Sequence, residues 1–376
     1  MNTLIGLAAI FCGAAGLLHL ASILVAAGRC RPAAHPVPQP ANAPAVTVIR
    51  PVCGIDNYVE ETLGTTFALA YPDVEILFCV ASARDPVVPL VERLIAAHPG
   101  RARLLIGDDR ISENPKLNNI VKGWRAAAHD WIVIADSNVL MPADYIQRLL
   151  AASRGDTGLV CSPPVGCRPE GFFAELECAF LNTYQARWQY FADTIGWAFA
   201  QGKTMLWRRD VLEAAGGIEA LGLELAEDAA ATKVVAAQGL RVRLVDAPFG
   251  QPLGYRRATE VWNRQVRWAR LRRGSFPQYF MPEILSGGVP PILCAALLAF
   301  MLDLPVVPAA GMFATLWYLA EYHLARVAGW HVSALSPLAW LLRDLLLPLL
   351  WFNGWRTAEF VWRGNAMRVV ENGRAG

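Results

Sequence analysis

The stretch WIVIAD, residues 131–136, decides the fold class of this chain. A short apolar run is typical of a buried strand, and here a carboxylate, Asp136, follows it directly. Similar apolar runs predict five more strands, at 46–50, 74–80, 103–106, 158–162 and 240–245. Helical patterns lie between the runs, at 57–68, 87–97, 118–128 and 142–152. Strands that alternate with helices predict an α/β fold with a mostly parallel sheet, whose ligands bind at the carboxyl ends of the strands.

The alternating pattern occupies 46–251, and an apolar stretch at 1–28 precedes it. As a helix this stretch is long enough to cross the roughly 30 Å hydrocarbon core of a bilayer. Arg29 and Arg31 follow it, which predicts an N-terminal anchor with the α/β domain in the cytosol. A cleaved signal peptide is the alternative, although its usual basic n-region is missing. Residues 29–45 contain five prolines and predict a semi-rigid linker.

Membrane-like sequence also follows the α/β domain. Residues 252–286 interleave Trp with Arg, which predicts amphipathic helices at a membrane interface. Residues 287–353 predict a membrane hairpin followed by a third apolar segment, and 354–376 form a basic tail. The third segment contains Arg343 and Asp344, a pair that is costly in lipid unless it is buried against protein. The segment 335–352 either lies on the bilayer surface, which keeps the basic tail on the cytoplasmic side, or crosses the bilayer against the positive-inside rule.

The composition excludes several classes of protein. Hydrophobic residues make up 55% of the chain and charged residues 18%, which is too apolar for an ordinary soluble enzyme. A net charge of +2 gives no sign of a nucleic-acid partner. The eight cysteines form no C-x-x-C pair, which argues against zinc and fits a reducing compartment.

Two carboxylates and a Lys–Asn motif follow predicted strands. Asp85 could accept a hydrogen bond from a nucleotide, or it could cap the helix that Pro86 begins. Asp136 could hold Mg²⁺ or Mn²⁺ on a diphosphate, or serve as a turn residue. Lys116 and Asn118 stand at a predicted helix start, where phosphates bind well, although an ordinary cap is an equal alternative.

Two further groups lie later in the α/β domain. Gly202 and Lys203 do not complete a phosphate loop, and we predict that they line a sugar pocket. Glu227 and Asp228 begin a predicted helix, whose dipole stabilises the anions. They are either capping acids or, in a transferase, the source of a general base.

The spacing Arg264-x-x-Arg267-Trp268 places two guanidinium groups on one helix face. Such a pair can bind a diphosphate bidentately, and Trp268 could stack on a sugar. The alternative is a solvated basic face.

In order, these motifs resemble those of the inverting ceramide glucosyltransferases and their bacterial relatives, a branch of the GT-A glycosyltransferases. The resemblance covers about 46–275. One departure stands at Gln185, where the animal enzymes have His.

The resemblance implies a membrane-bound hexosyltransferase with a GT-A type α/β domain on the cytoplasmic face, in a bacterial plasma membrane. Its expected partners are a UDP-sugar donor, a lipid acceptor such as ceramide, and membrane lipids. Asp228 becomes the catalytic base, and Asp136 the acid that holds Mg²⁺ or Mn²⁺ on the diphosphate. The remaining donor residues are Asp85, Lys116, Asn118, Arg264 and Arg267, and the acceptor or sugar pocket contains Gly202, Lys203, Glu227 and Trp268.

Three alternatives remain. A sister enzyme could use UDP-galactose or UDP-N-acetylglucosamine, or an acceptor such as a hopanoid polyol or diacylglycerol. A processive polysaccharide synthase usually needs more spanning helices than this chain offers. An inert membrane scaffold with the same fold would lack transfer altogether.

Overall fold

The computed structural model describes residues 2–356, 359–362 and 365–368. Its strands are β1 (Val46–Val52), β2 (Val74–Val80), β3 (Ala102–Ile106), β4 (Trp131–Ala135), β5 (Thr157–Cys161), β6 (Val165–Glu170), β7 (Thr204–Arg208), β8 (Arg241–Leu244), β9 (Gly250–Tyr255), β10 (Glu359–Trp362) and β11 (Asn365–Arg368). The predicted strands are all present, and those at 74–80 and 131–135 have the predicted bounds.

The helices of the first part of the chain are α1 (Asn2–Arg29), α2 (Val59–Gly64), α3 (Val88–Ala96), α4 (Pro115–Ala126), α5 (Tyr145–Ala152), α6 (Phe172–Ala179) and α7 (Arg187–Thr194). Those that follow are α8 (Arg209–Glu213), α9 (Glu227–Ala237), α10 (Ala258–Ser275), α11 (Pro277–Phe280), α12 (Val289–Met301), α13 (Val306–Val327) and α14 (Ser336–Arg356). A π-helical segment, Phe180–Ala186, joins α6 to α7.

The chain divides into two compact units. The sheet unit contains Pro32–Arg168 and Ala192–Gly254, and the helical unit contains Met1–Arg31, Pro169–Phe191 and Tyr255–Gly376. The finer domain boundaries that the sequence suggested stay predictions.

The sheet unit is built on one seven-stranded sheet in the order β3-β2-β1-β4-β7-β5-β8. Neighbouring strands run parallel except at β7, which is antiparallel to both β4 and β5. The predicted α/β fold with a mostly parallel sheet is therefore confirmed. Apolar side chains cover both faces: Val133, Tyr145 and Leu149 belong to one buried cluster, and Leu63 and Phe78 to the other.

The helical unit contains a buried ionic network. The guanidinium of Arg343 on α14 donates to both carboxylate oxygens of Glu321 on α13, at 2.8 and 2.9 Å, and to Asp344. On α1, His19 stacks on Trp317 of α13 with ring centroids 3.7 Å apart. Because the Arg343–Asp344 pair is buried against protein, its cost in apolar surroundings is offset by these partners.

One described helix, α1, is long and apolar enough to cross a membrane by itself. The segments Pro277–Leu285 and Val289–Met301 reach that length only together, across a bend of 43°. The further membrane segments predicted within 287–353 stay a prediction. The helix expected from residue 252 begins later than expected, because β9 precedes it and α10 starts at Ala258.

Candidate active site

The antiparallel direction of β7 brings two chain segments together at one edge of the sheet. Asp136 follows the carboxyl end of β4, and Lys203 directly precedes β7, whose first residue pairs with the last residue of β4. The N–H of Asp136 donates to the carbonyl oxygen of Lys203 at 3.0 Å. Both side chains therefore start at the edge where an α/β sheet binds ligands.

The carboxylate of Asp136 is held by two ammonium groups. Nζ of Lys116 lies 2.6 Å from Oδ1, and Nζ of Lys203 lies 2.9 Å from Oδ2. Lys203 also donates to Oδ1 of Asn138 at 3.2 Å. Burial alone raises the pKa of Asp136, but the two lysines outweigh it and the pKa lies below its ordinary value. Asp136 is therefore an anion at neutral pH.

Lys116 takes its position from the start of α4. The side chain of Asn114 caps this helix by accepting from the N–H groups of Lys116 and Leu117. Nζ of Lys116 then contacts Oε1 of Glu227 and the carbonyl oxygen of Gly202, each at 2.6 Å, in addition to Asp136. Burial lowers the pKa of Lys116, yet the two carboxylates raise it overall, so the ammonium stays charged.

Asp228 is the second residue of α9 and lies beside this charged centre. Its Oδ2 accepts from the N–H of Gly202 at 3.3 Å, and its Oδ1 accepts from the N–H of Ala229 at 2.9 Å. Burial, followed by the charge of Glu227, raises the pKa of Asp228 to about 6. A carboxylate whose pKa is close to neutrality can take a proton from a reacting hydroxyl.

Two other predicted residues brace loops at the same edge. The carboxylate of Asp85 accepts from the N–H of Gly54 at 2.9 Å and from that of Val87 at 2.9 Å. The amide oxygen of Asn118 accepts from the N–H groups of Ile111 and Ser112, both at 3.1 Å. Their roles in donor binding stay predictions.

The structure thus brings together six of the predicted site residues, Lys116, Asp136, Gly202, Lys203, Glu227 and Asp228. Of the others, Asp85 lies in the loop after β2 and Asn118 on α4. Arg264, Arg267 and Trp268 lie on α10 of the helical unit.

On α10, Arg264 forms an ion pair with Glu177 of α6. Glu177 is fully buried, and the guanidinium of Arg256 lies 3.6 Å from its other carboxylate oxygen. Gln185, the position that departs from the animal enzymes, donates to the amide oxygen of Gln265 at 3.1 Å. The first Arg of the motif is therefore fixed within its own unit.

From the sequence alone, no role was assigned to two residues that brace the site. Arg50 of β1 is fully buried and donates to the carbonyl oxygens of Ser137 and Val139, so it holds the loop that follows Asp136. Glu177 is the other. In each case the available signal was a charged residue inside an apolar strand or helix, which is rarely buried without a partner.

The chain is similar to known glycosyltransferases. The model of glycosyl transferase family 21 matches residues 13–375. Ceramide glucosyltransferase 3 of Caenorhabditis elegans is 26% identical over 379 residues, covering 99% of this chain and 82% of the relative. Ceramide glucosyltransferase of Komagataella phaffii is 39% identical over 121 residues, covering 31% of this chain and 24% of the relative. The resemblance predicted from the motifs is confirmed.

Among solved structures, mannosyltransferase PcManGT from Pyrobaculum calidifontis, in complex with GDP-Man and Mn²⁺, aligns with a TM-score of 0.44. It is 20% identical, and the alignment covers 89% of this chain and 98% of that one.

Proposed function

This chain belongs to glycosyl transferase family 21 and is a hexosyltransferase, and we propose that it transfers glucose from UDP-glucose to the primary hydroxyl of ceramide. One observation carries the proposal. Asp228, whose pKa lies close to neutral pH, stands at the same sheet edge as Asp136 and the two lysines that bind it. A transfer reaction needs both features: a base for the acceptor and positive charge for the leaving diphosphate.

Asp228 acts as the general base. Its carboxylate takes the proton of the acceptor hydroxyl as that oxygen forms a bond to the anomeric carbon. The bond from that carbon to the diphosphate oxygen breaks, and UDP leaves with the electron pair. Attack from the face opposite UDP inverts the anomeric carbon and gives a β-glycoside.

Lys116 and Lys203 face the charge that develops on UDP. Lys116 is held at the sheet edge by three acceptors, so little reorganisation of its charge accompanies the reaction. We assign Asp85 and Asn118 to the uridine side of the donor. From the family pattern, Arg264 and Arg267 bind the diphosphate, and Trp268 contacts the acceptor.

The residues present fit a divalent cation. Asp136 and Asn138 direct oxygen atoms at one point and already hold a cation there, the ammonium of Lys203. Hard oxygen ligands of this kind suit Mg²⁺ or Mn²⁺, which usually take few protein ligands and complete their shell with substrate phosphates. Bound there, the ion would neutralise charge on the leaving diphosphate.

We place the enzyme in a membrane, anchored by α1, with the sheet unit on the cytoplasmic side of a bacterial plasma membrane. The support is the apolar length of α1 and the arginines that follow it. A lipid acceptor then reaches Asp228 from the membrane surface.

Product analysis tests the proposal. Membranes from cells that express the chain receive ceramide with UDP-glucose, UDP-galactose or UDP-N-acetylglucosamine, beside an Asp228→Asn control. We expect glucosylceramide, and none from the control. A product formed only with another donor, or only with a hopanoid polyol or diacylglycerol, would keep the enzyme class and replace the proposed substrates. UDP binding without any transfer to any lipid would indicate an inert scaffold.

A further inference from the structure

The ammonium of Lys203 occupies an oxygen-lined position in the loop after β4. It lies 2.9 Å from Oδ2 of Asp136 and 3.2 Å from Oδ1 of Asn138, two residues further along the chain. One of these oxygens belongs to a carboxylate and the other to an amide, a pair that suits a hard cation. A side chain of the protein therefore stands where the oxygen ligands converge.

The two lysines at Asp136 differ in how firmly they are held. Nζ of Lys116 contacts three acceptors at 2.6 Å each, which uses all three of its N–H groups, and 14% of its side chain is exposed. Lys203 makes contacts with two acceptors, at longer distances, and 22% of its side chain is exposed. Lys203 is therefore the lysine that can leave Asp136 at the lower cost, and its flexible four-carbon stem allows the movement.

We propose that Lys203 is a tethered cation that holds the metal position of the donor site until the donor arrives. The proposal rests on the proposed function, because the divalent ion and the diphosphate are taken from it. When the metal and the nucleotide sugar enter together, Lys203 leaves Asp136 and Asn138 and contacts the phosphates instead, while Lys116 keeps its position.

Charge explains why the exchange needs the donor. The carboxylates of Asp136 and Glu227 face the ammonium groups of Lys116 and Lys203, and Asp228 beside them adds a further negative charge above its pKa of about 6. A divalent ion that entered alone would meet Lys203 on the same carboxylate oxygen, and like charges at such a separation repel strongly. A diphosphate supplies the negative charge that lets the ion and both lysines remain in one site.

The test is a titration of the full-length, detergent-solubilised protein with Mn²⁺ alone, in which electron paramagnetic resonance reports the free ion. We expect Lys203→Met to bind Mn²⁺ about tenfold more tightly than the wild type. Lys203→Gln, whose side chain is also uncharged but polar, should show the same gain in Mn²⁺ affinity. It keeps the test valid if the Met variant folds poorly. Lys203→Arg, which keeps the charge, and the matched control Lys233→Met on α9 should both resemble the wild type.

Two further measurements complete the test. Asp136→Asn added to Lys203→Met should remove the gain, and UDP added to the wild type should raise its Mn²⁺ affinity toward that of Lys203→Met. Equal Mn²⁺ affinity of Lys203→Met, Lys203→Gln and the wild type would overturn the proposal. So would a gain in Lys203→Arg or Lys233→Met, a gain that survives Asp136→Asn, or no effect of UDP.

The proposed function fails separately from this proposal. Mn²⁺ binding without a donor requires no glycosyl transfer. A higher Mn²⁺ affinity of Lys203→Met that depends on Asp136, together with membranes that make no glycolipid, would support the tethered cation and reject the proposed lipid product.

Discussion

Gly202 lies so close to Glu227 that a β carbon added to it would stand 2.7 Å from the Oε1 atom of that carboxylate. The same β carbon would lie 3.1 Å from Nζ of Lys116. A side chain at this position would therefore have to displace the carboxylate of Glu227 and the ammonium group of Lys116.

We expect Gly202→Ala to reduce transfer about a hundredfold, because the methyl group displaces Glu227 and Lys116 and small displacements at a reacting centre have effects of that size. The measurement is the initial rate of glycolipid formation. Gly155→Ala is the matched control, since its β carbon meets no atom within 4 Å. Similar rates for the two variants would show that the close approach at Gly202 has no role.

The pH dependence of transfer should follow Asp228. Its pKa of about 6 means that the carboxylate form is lost below that pH, so the rate should fall as the pH drops through 6. Glu227→Gln removes a negative neighbour that raises this pKa, so the acidic limb should move to lower pH. A rate profile in a buffered pH series measures the shift.

The control for this prediction is Glu219→Gln, an exposed carboxylate that precedes α9 and pairs with Arg125. Its acidic limb should coincide with that of the wild type. An acidic limb that moves to higher pH in Glu227→Gln, or does not move, would contradict the assignment of Asp228 as the base.

Lys116 should also be important for stability. Lys116→Met leaves the carboxylates of Asp136 and Glu227 without their shared cation, and breaking a buried ionic contact of this kind costs about 3 kcal/mol. Chemical unfolding of the detergent-solubilised protein measures the loss. The exposed pair of Arg93 and Glu60 supplies the comparison, because Arg93→Met should change the free energy of unfolding by less than about 1 kcal/mol.

Glu177 should affect transfer through Arg264. Glu177→Gln removes the charge that holds this guanidinium, so we expect transfer to fall about tenfold, with partial recovery in Glu177→Asp. Glu175→Gln on the same helix is the control, since Glu175 contacts Ser333 and not α10. The rate and the melting temperature are both measured. Equal transfer rates for the Gln variants of Glu177 and Glu175 would show that the position of Arg264 does not affect transfer.

The sequence predicted six of the seven strands of the main sheet, because each of the six is a short apolar run that the chain itself displays. It did not predict β7, and this omission matters for the site. The segment around Gly202 and Lys203 was interpreted only as the lining of a sugar pocket. A strand that runs against its neighbours is defined by its pairing with β4 and β5 and not by its own pattern. Only this pairing reveals that Lys203 stands beside Asp136.

The sequence predicted which residues belong to the candidate site more reliably than it predicted the contacts between them. Asp136, Lys116 and Asp228 follow strands or begin helices, positions that local sequence can identify. The amide oxygen of Asn118 accepts from the N–H of Ile111 only because of the backbone conformation of that loop. The spacing of residues along the chain does not predict this conformation. The same holds for Arg50, whose acceptors lie on a loop far along the chain.

The ionic contact between Arg343 and Glu321 also bears on how the protein is made. A ribosome completes α13 before α14, so Glu321 emerges without its partner and cannot be buried cheaply until the next helix exists. On α1, His19 stacks on Trp317 of α13, so α1 packs against α13 while the buried carboxylate of Glu321 still awaits Arg343. Helix α14 therefore completes the buried ionic network of the helical unit, and a polypeptide truncated before α14 should be recognised by cellular quality control as unfinished.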